Sequence, residues 1–412
     1  MRTERVRRAH AARSALSLRD AVLRYLGASG LGSAREPLLA AAPASWSFLL
    51  RVECCALPLL AHLRRDALLD RFDDVARAQL LAAEARELQR VLAARLIVRE
   101  LDAIGQRAGL RFIALKGGAV AADATRQPLD LGDVDVLVTG APPEHAWHAL
   151  LSHGWSPVLP GFSPTDDIGT RAHYSPLRSD RHQLALELHP RYDYQGAGGA
   201  EQAPTVAPIP GHRAIDRLTG AGAVAATLRH SVVVHPHRRG HLRDLFLLAD
   251  LLKELDDSES SRLERDLSGA EERIELLAML AQARALSRGE PLADAEALRP
   301  FVCFKYAAAA GTSALLGTGS AGWDAVSHLP LERRPIRRAA YRRLLRAASE
   351  PVPADAELER VPLIGSRLSR AGGLSRLARY VYRTALTLGL IAVGGLIRRR
   401  VAALNFVPKG VD

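Results

Sequence analysis

Apolar residues at helical spacing dominate both ends of the sequence. From residue 15 to residue 108 they recur every three or four positions, as they do on the buried face of a helix. The same spacing returns at Arg213 and continues, with breaks, toward the C-terminus. Alanine, leucine and valine supply most of these positions and aromatic residues are few, which favours helix. The pattern therefore predicts a mostly helical protein.

Between these ends, from Leu110, the pattern changes to short apolar runs that are typical of strands. The predicted strands are residues 110–115, 131–138, 155–160, 173–177 and 182–192. Pro142 and Pro143 predict the start of a helix that Gly154 closes. Residues 195–211 are rich in Gly, Pro and Ala and predict a loop. Strands and helices mixed in this way indicate an α/β unit.

These patterns divide the chain into four predicted regions. They are a helical region over 1–108, an α/β core over 109–212, a helical domain over 213–328 and a basic helical region over 329–412. The predicted fold class is α+β, a small mixed sheet embedded in a mostly helical protein. The length of 412 residues agrees, since a chain of this size usually forms two or three packed units.

The excess positive charge lies in the last of these regions. Residues 331–412 hold 17 Lys and Arg against 6 Asp and Glu, which accounts for the whole formal charge of +11. An uncharged apolar run over 384–397 is shorter than the roughly 20 residues needed to span a bilayer. Three interpretations stay open: contact with nucleic acid, peripheral contact with an anionic membrane, and a packed helix with a solvated basic face.

The N-terminus and the cysteines bear on the compartment. The first residues carry charge but lack the apolar stretch of a secretory signal. Cys54, Cys55 and Cys303 are too few for a disulfide framework, and the first two lie in an apolar helical pattern. We expect a cytoplasmic protein, and the basic region leaves open a peripheral position at the inner membrane.

Asp133 and Asp135 project from one face of the strand predicted over 131–138, because side chains two apart in a strand point the same way. Val134 and Val136 point the other way, into a core. Two carboxylates so close repel each other, so a cation must neutralise them or one must take up a proton. Mg²⁺ or Mn²⁺ would do so, since hard cations prefer oxygen ligands. The alternative is that both aspartates face solvent on an edge strand.

Two glycines lie at a strand-to-helix turn ahead of the aspartates. Gly117 and Gly118 would expose backbone N–H groups at a helix N-terminus, where phosphate binds well, and Lys116 would add a cation. The alternative is a plain turn.

A third carboxylate, Glu187, shares a strand face with His189, while leucines take the other face. A charged side chain in so apolar a strand needs a partner. That partner is either a metal shared with Asp133 and Asp135, or His189 or an arginine.

Taken together, "LKGG" at 115–118, "GDVDVLV" at 132–138 and "ELHPRY" at 187–192 resemble a bacterial family of uncharacterised nucleotidyltransferases, within the superfamily that includes polymerase β. The resemblance also covers the helical lead-in from Trp46 and the segments "LRH" and "HLRDLFLLADLL", ending near residue 255.

The resemblance implies a nucleotidyltransferase core that transfers a nucleoside monophosphate from a nucleoside triphosphate (NTP) to a hydroxyl acceptor. The acceptor would be a small molecule, a protein or an RNA. Mg²⁺ or Mn²⁺ would bind the three catalytic carboxylates, and Lys116, Gly117 and Gly118 would hold the triphosphate. The family often has an arginine where this chain has Leu129, and Arg126 is the candidate to replace it.

Other functions stay open on the same residues. The chain could be a non-catalytic nucleotide-binding protein, or a membrane-peripheral accessory protein, on the same fold. His230 and Asp244 match positions of the family, and a helix–loop–helix surface with His230 packed near Asp244 is expected there. A metal cluster of His230 with the nearby histidines is the alternative.

Overall fold

The structure is a computed structural model of the whole chain. It describes residues 2–27, 31–123, 125–157, 174, 176–189, 205–234, 238–270, 272–299 and single positions from 301 to 309. The predicted basic region over 329–412 and the apolar run over 384–397 lie outside the described residues, as does Cys303.

Eleven helices and seven strands are formed by the described residues. The helices are α1 (Arg2–Leu26), α2 (Leu31–Leu39), α3 (Pro43–Glu53), α4 (Ala56–Arg65), α5 (Asp74–Ala108), α6 (Lys116–Ala122), α7 (Pro143–Ser152), α8 (Gly220–Arg229), α9 (Leu242–Leu252), α10 (Asp257–Ser268) and α11 (Arg273–Arg288). The strands are β1 (Arg111–Ala114), β2 (Asp133–Thr139), β3 (Ser156–Pro157), β4 (Leu177–Arg178), β5 (Ala185–His189), β6 (Val206–Pro208) and β7 (Ile215–Leu218).

The long helix α5 has well-defined signals at both ends. The Asp73 carboxylate accepts hydrogen bonds from the backbone N–H groups of Val75 and Ala76, which caps the first turn. Gly109 ends the helix at φ +67°, a left-handed conformation that glycine adopts without a steric penalty. The prediction of helices up to residue 108 is therefore confirmed, and α5 leads directly into the sheet.

The seven strands form one mixed sheet in the order β3-β4-β5-β2-β1-β7-β6. The central strand β2 pairs parallel with β5 and antiparallel with β1, and β1 pairs parallel with β7. The prediction of a mixed sheet within a mostly helical protein is confirmed. The division into four regions stays a prediction.

The sheet extends beyond the predicted limit at residue 212. The predicted loop contains β6, and β7 lies where the sequence predicted a return to helix, so both predictions are wrong there. The two middle residues of β7 are Asp216 and Arg217, so its sequence lacks an apolar run; pairing with β1 makes it a strand. Pro208 is tolerated in β6 because β6 is an edge strand.

The two faces of the sheet pack against different helices. Val134, Val136, Leu186 and Leu188 are fully buried on the face that packs against α5 and α7, as predicted for the two valines. The opposite face carries the acidic residues of β2 and β5. Residues of α8, α9 and the π-helical turn between them lie across from it and form the other wall of a pocket.

Candidate functional site

The parallel pairing of β2 with β5 brings the third carboxylate to the aspartates. Asp133 lies opposite Ala185, and Asp135 lies opposite Glu187. Ligand atoms of Asp135, Glu187 and His189 lie within 4.8 Å of one another, close enough to hold one metal ion. Asp135 and His189 are buried, and Glu187 is half-buried. Asp133 lies two residues before Asp135 on β2 and projects from the same face of the sheet.

The three carboxylates differ in how readily they ionise. Burial, and then the charge of Asp135, raises the pKa of Asp133 above its usual range. Burial, together with the charges of Asp135 and Asp133, raises the pKa of Glu187 well above its usual range. Burial also opposes ionisation of Asp135, but Lys116 and His189 outweigh it and hold that pKa well below the usual range. Asp135 is therefore the carboxylate on which negative charge is concentrated.

Lys116 is held against Asp135 in an uncommon backbone conformation. Its Nζ lies 2.9 Å from Asp135 Oδ1, and His189 Nε2 lies 2.8 Å from the same oxygen. Lys116 has φ +48°, in the left-handed region that non-glycine residues rarely adopt. Such strain is typical of functional sites, where surrounding contacts hold it in place. Here the contact to Asp135 is one of those that do so.

The glycines lie in the first turn of α6, as the sequence predicted, but they differ in position. Gly117 lines the pocket, and a Cβ there would contact Leu131 Cβ at 3.4 Å. Gly118 is buried against β2, where a Cβ would contact the backbone O of Asp135 at 3.4 Å. Gly117 is thus placed to face a ligand, and Gly118 packs against the strand that carries the aspartates.

A pocket lies between this face of the sheet and the second helical layer. Its lining residues are Lys116, Gly117, Leu129, Asp130, Leu131, Asp133, Asp135, Thr227, His230, Ser231, Arg238, Arg243, Asp244 and Leu247. The space open to the centre of a water molecule is about 20 Å³, enough for one water or one metal ion.

The helical wall of the pocket is a network of its own. Ser231 Oγ donates to Asp244 Oδ2 at 2.7 Å, and Arg243 donates to Asp244 Oδ1 at 2.8 Å. Burial opposes ionisation of Asp244, but Arg243 and Arg238 lower its pKa well below the usual range. Arg238 Nη1 lies 2.9 Å from His230 Nε2. His230 and Asp244 therefore both line the pocket.

A buried ion network outside the pocket holds this wall in place. Glu53 Oε2 accepts a hydrogen bond from the backbone N–H of Leu242, at the start of α9. Glu53 also pairs with Arg19 at 3.1 Å and with Lys305 at 2.8 Å. Arg19 Nη2 donates to the backbone O of Gly240 at 2.5 Å. These bonds fix the segment from residue 238 to the first turn of α9.

Comparisons of the chain with protein-family models, with curated proteins and with solved structures gave no match. The resemblance to nucleotidyltransferases therefore rests on the quoted residues and stays a prediction. Within the described residues, no helix is long and apolar enough to cross a membrane.

Arg126 is not among the residues that line the pocket, and its role in nucleotide binding stays a prediction. Its guanidinium pairs with Asp250 at 2.9 Å, with Asp123 at 3.6 Å and with Glu254. It lies after α6 and bonds to α9, where it ties the two elements together. The position of Arg126 relative to Asp133 in the sequence suggested the role. In the structure, the Arg126 side chain bonds to α9 instead of lining the pocket.

Sequence reasoning missed three residues of the site. His189 was considered only as a partner for Glu187, although its spacing of two from Glu187 already placed it on the same face. Arg238 and Arg243 line the pocket without any sequence signal, because they come from the chain around Gly240 and the first turn of α9. Only the packing of α9 over the sheet brings them to the aspartates.

Proposed function

We propose that the protein is a metal-dependent nucleotidyltransferase that moves a nucleoside monophosphate from an NTP to a hydroxyl acceptor. The single observation that carries the proposal is the register of β2 with β5, which sets Glu187 directly opposite Asp135. Strands that paired one residue out of register would have turned Glu187 to the apolar face. Cytoplasmic location remains part of the proposal.

The donor set fits a divalent metal. Asp135, Glu187 and His189 offer ligand atoms within 4.8 Å of one another, and Asp133 adds a third carboxylate beside them. Mutual repulsion of the carboxylates would be relieved by a divalent cation. When bound, Mg²⁺ or Mn²⁺ would lower the pKa of the acceptor hydroxyl and stabilise charge on the phosphates.

The remaining lining residues suit an anionic phosphate chain. Gly117 lies in the first turn of α6 and lines the pocket, so a phosphate could approach its backbone closely. Lys116 adds an ammonium group from the same turn. Arg238 and Arg243 add positive charge from the opposite wall. Phosphates between these walls would be attracted from both sides.

The pocket is too small to hold a nucleotide without a change in its lining. About 20 Å³ is far less room than a nucleotide needs, so NTP binding must move side chains of the lining apart. Arg238 is half-buried, as Asp133 on β2 is, and it comes from the short segment before α9. We expect the Arg238 side chain to move, because Arg19 and Glu53 hold the backbone of this segment at Gly240 and Leu242.

The test is transfer of label from NTPs radiolabelled at the α-phosphate, with Mg²⁺ or Mn²⁺, to water and to panels of small molecules, proteins and RNA. We expect Asp133→Asn and Asp135→Asn each to lower the rate at least about a hundredfold, since even outer partners of metal ligands cost ten- to hundredfold. Asp216→Asn is the matched control, because Asp216 lies on β7 of the same sheet and pairs with Arg111 outside the pocket. Equal label transfer by all four proteins would refute the proposal.

A non-catalytic nucleotide-binding protein is the second candidate. The Lys116 ammonium group and His189 Nε2 already contact Asp135 Oδ1. These contacts stabilise the Asp135 carboxylate without a metal. Calorimetry separates the two functions. Tight NTP binding that needs no divalent cation, with no label transfer to any acceptor, would favour this candidate.

A further inference from the structure

We infer that His189 is a metal ligand, and that this makes the site select a first-row transition ion such as Mn²⁺ over Mg²⁺. The inference rests on the proposed function and narrows its cofactor. A site of three carboxylates offers only oxygen, which Mg²⁺ and Mn²⁺ both accept. An imidazole nitrogen in the donor set favours the transition ions.

The geometry places His189 inside the group rather than behind it. Glu187 and His189 are two residues apart on β5, so both side chains leave the same face of the sheet. Atoms of His189 lie within 4.8 Å of those of both Asp135 and Glu187. A histidine that only oriented a ligand would need to approach one carboxylate, but His189 is close to both.

The distance between His189 and Asp135 is close to the distance between two adjacent ligands on one metal ion. His189 Nε2 and Asp135 Oδ1 are 2.8 Å apart. Two ligands at right angles on an octahedral ion, with bonds of about 2.1 Å, are roughly 3 Å apart. A divalent ion could therefore bind both atoms with little change in their separation.

Positive charge is already held at this oxygen. Lys116 Nζ lies 2.9 Å from Asp135 Oδ1, with its side chain only 7% exposed. A metal at Asp135 Oδ1 would therefore share this oxygen with the ammonium group or displace it. Burial of His189, at 2% exposed, shields the position from bulk water and favours a ligand role over a solvated one.

The test is pulsed electron paramagnetic resonance of Mn²⁺ bound to the full-length protein without nucleotide. We expect nitrogen hyperfine coupling from the ring of His189, and its loss in His189→Asn. His182→Asn is the matched control, since His182 is a buried histidine paired with the Glu100 carboxylate away from the pocket. The wild-type spectrum alone decides if the variants fail to fold: Mn²⁺ bound without nitrogen coupling, or no Mn²⁺ bound, overturns the inference.

A competition titration measures the selectivity. In His189→Asp, which restores an all-oxygen set, we expect the ratio of Mg²⁺ to Mn²⁺ affinity to rise roughly tenfold or more over the wild type. An unchanged ratio with both ions bound overturns the inference. Label transfer with Mn²⁺ bound but no nitrogen coupling would leave the proposed function standing, and nitrogen coupling with no label transfer would leave the ligand assignment standing.

Discussion

Asp135 and Glu187 face each other across two strands, but their pKa values move in opposite directions. Burial opposes the ionisation of both, and Lys116 with His189 reverses this for Asp135 alone. Glu187 therefore holds a proton to higher pH than an ordinary glutamate does. One ligand of the proposed metal site is ready to bind, and the other must first lose its proton.

This difference predicts a pH dependence of metal binding. Because the pKa of Glu187 is raised, the metal-free protein is protonated there below that raised value, and binding must release the proton. We expect Mn²⁺ affinity to increase as the pH rises through that raised value, with proton release detected by calorimetry in buffers of different ionisation enthalpy. In Glu187→Gln the affinity should be lower and the slope flatter. An affinity that falls with rising pH would contradict the assignment.

A substitution of Gly117 by alanine distinguishes a role of this residue in ligand binding from a role in packing. An alanine at this position has ordinary contact distance to Leu131 Cβ and needs no positive φ, so we expect unfolding free energy to change by less than about 1 kcal/mol. Its methyl group would obstruct close approach of phosphate to the turn, so NTP affinity should fall roughly tenfold or more. Gly132→Ala is the control, because a Cβ there meets open space. Unchanged NTP affinity in Gly117→Ala would remove this turn from the proposed site.

At the scale of elements, the sequence predicted the features that nearby residues determine, such as helix ends and the faces of strands. Pro143 and Gly154 mark the start and the end of α7 where the sequence indicated. The alternation in β2 and β5 predicted which side chains share a face. What could not be predicted was β7, whose strand conformation depends on pairing with β1 about a hundred residues earlier in the chain. Arg238 and Arg243 were assigned no role for the same reason, because contacts distant in sequence bring them to the pocket.

The attachment of α9 depends on a single buried carboxylate. Burial opposes ionisation of Glu53, but Lys305 and Arg19 lower its pKa to about 2, so it is charged at neutral pH. We expect Glu53→Gln to lower the free energy of unfolding by about 3–5 kcal/mol, because it leaves Lys305 buried without its carboxylate and leaves Arg19 with Asp294 alone. Urea denaturation measures this, with Glu36→Gln, an exposed position of α2, as the control. A loss below about 1 kcal/mol would show that the network is not what holds the wall.

At the scale of the whole molecule, the excess positive charge and the proposed metal-binding residues lie in different parts of the chain. The acidic cluster lies in a part of the sequence with no net charge, and the excess of +11 lies in residues 331–412. This separation suits a protein whose catalytic core and attachment region are distinct. Contact of the basic region with an anionic membrane stays a prediction.

Liposome flotation of the full chain tests that contact. We expect flotation with anionic vesicles but not with neutral ones, weakened by salt, because basic residues near a membrane surface each contribute about 1 kcal/mol. Replacing Arg398, Arg399 and Arg400 by Gln should lower the floated fraction. The control replaces three exposed arginines of α5, Arg86, Arg99 and Arg107, by Gln. Equal flotation by both variants, or binding to neutral vesicles, would contradict a specific role for the C-terminal region.

The central claim is that the carboxylates of β2 and β5 hold a divalent metal beside the phosphates of an NTP. The most direct measurement is an anomalous difference map from crystals grown with Mn²⁺ and a non-hydrolysable NTP analogue. We predict a manganese peak bound by Asp135 and Glu187, with the triphosphate against Gly117. A bound nucleotide with no manganese at these carboxylates, or manganese bound at a different place in the molecule, would contradict the claim.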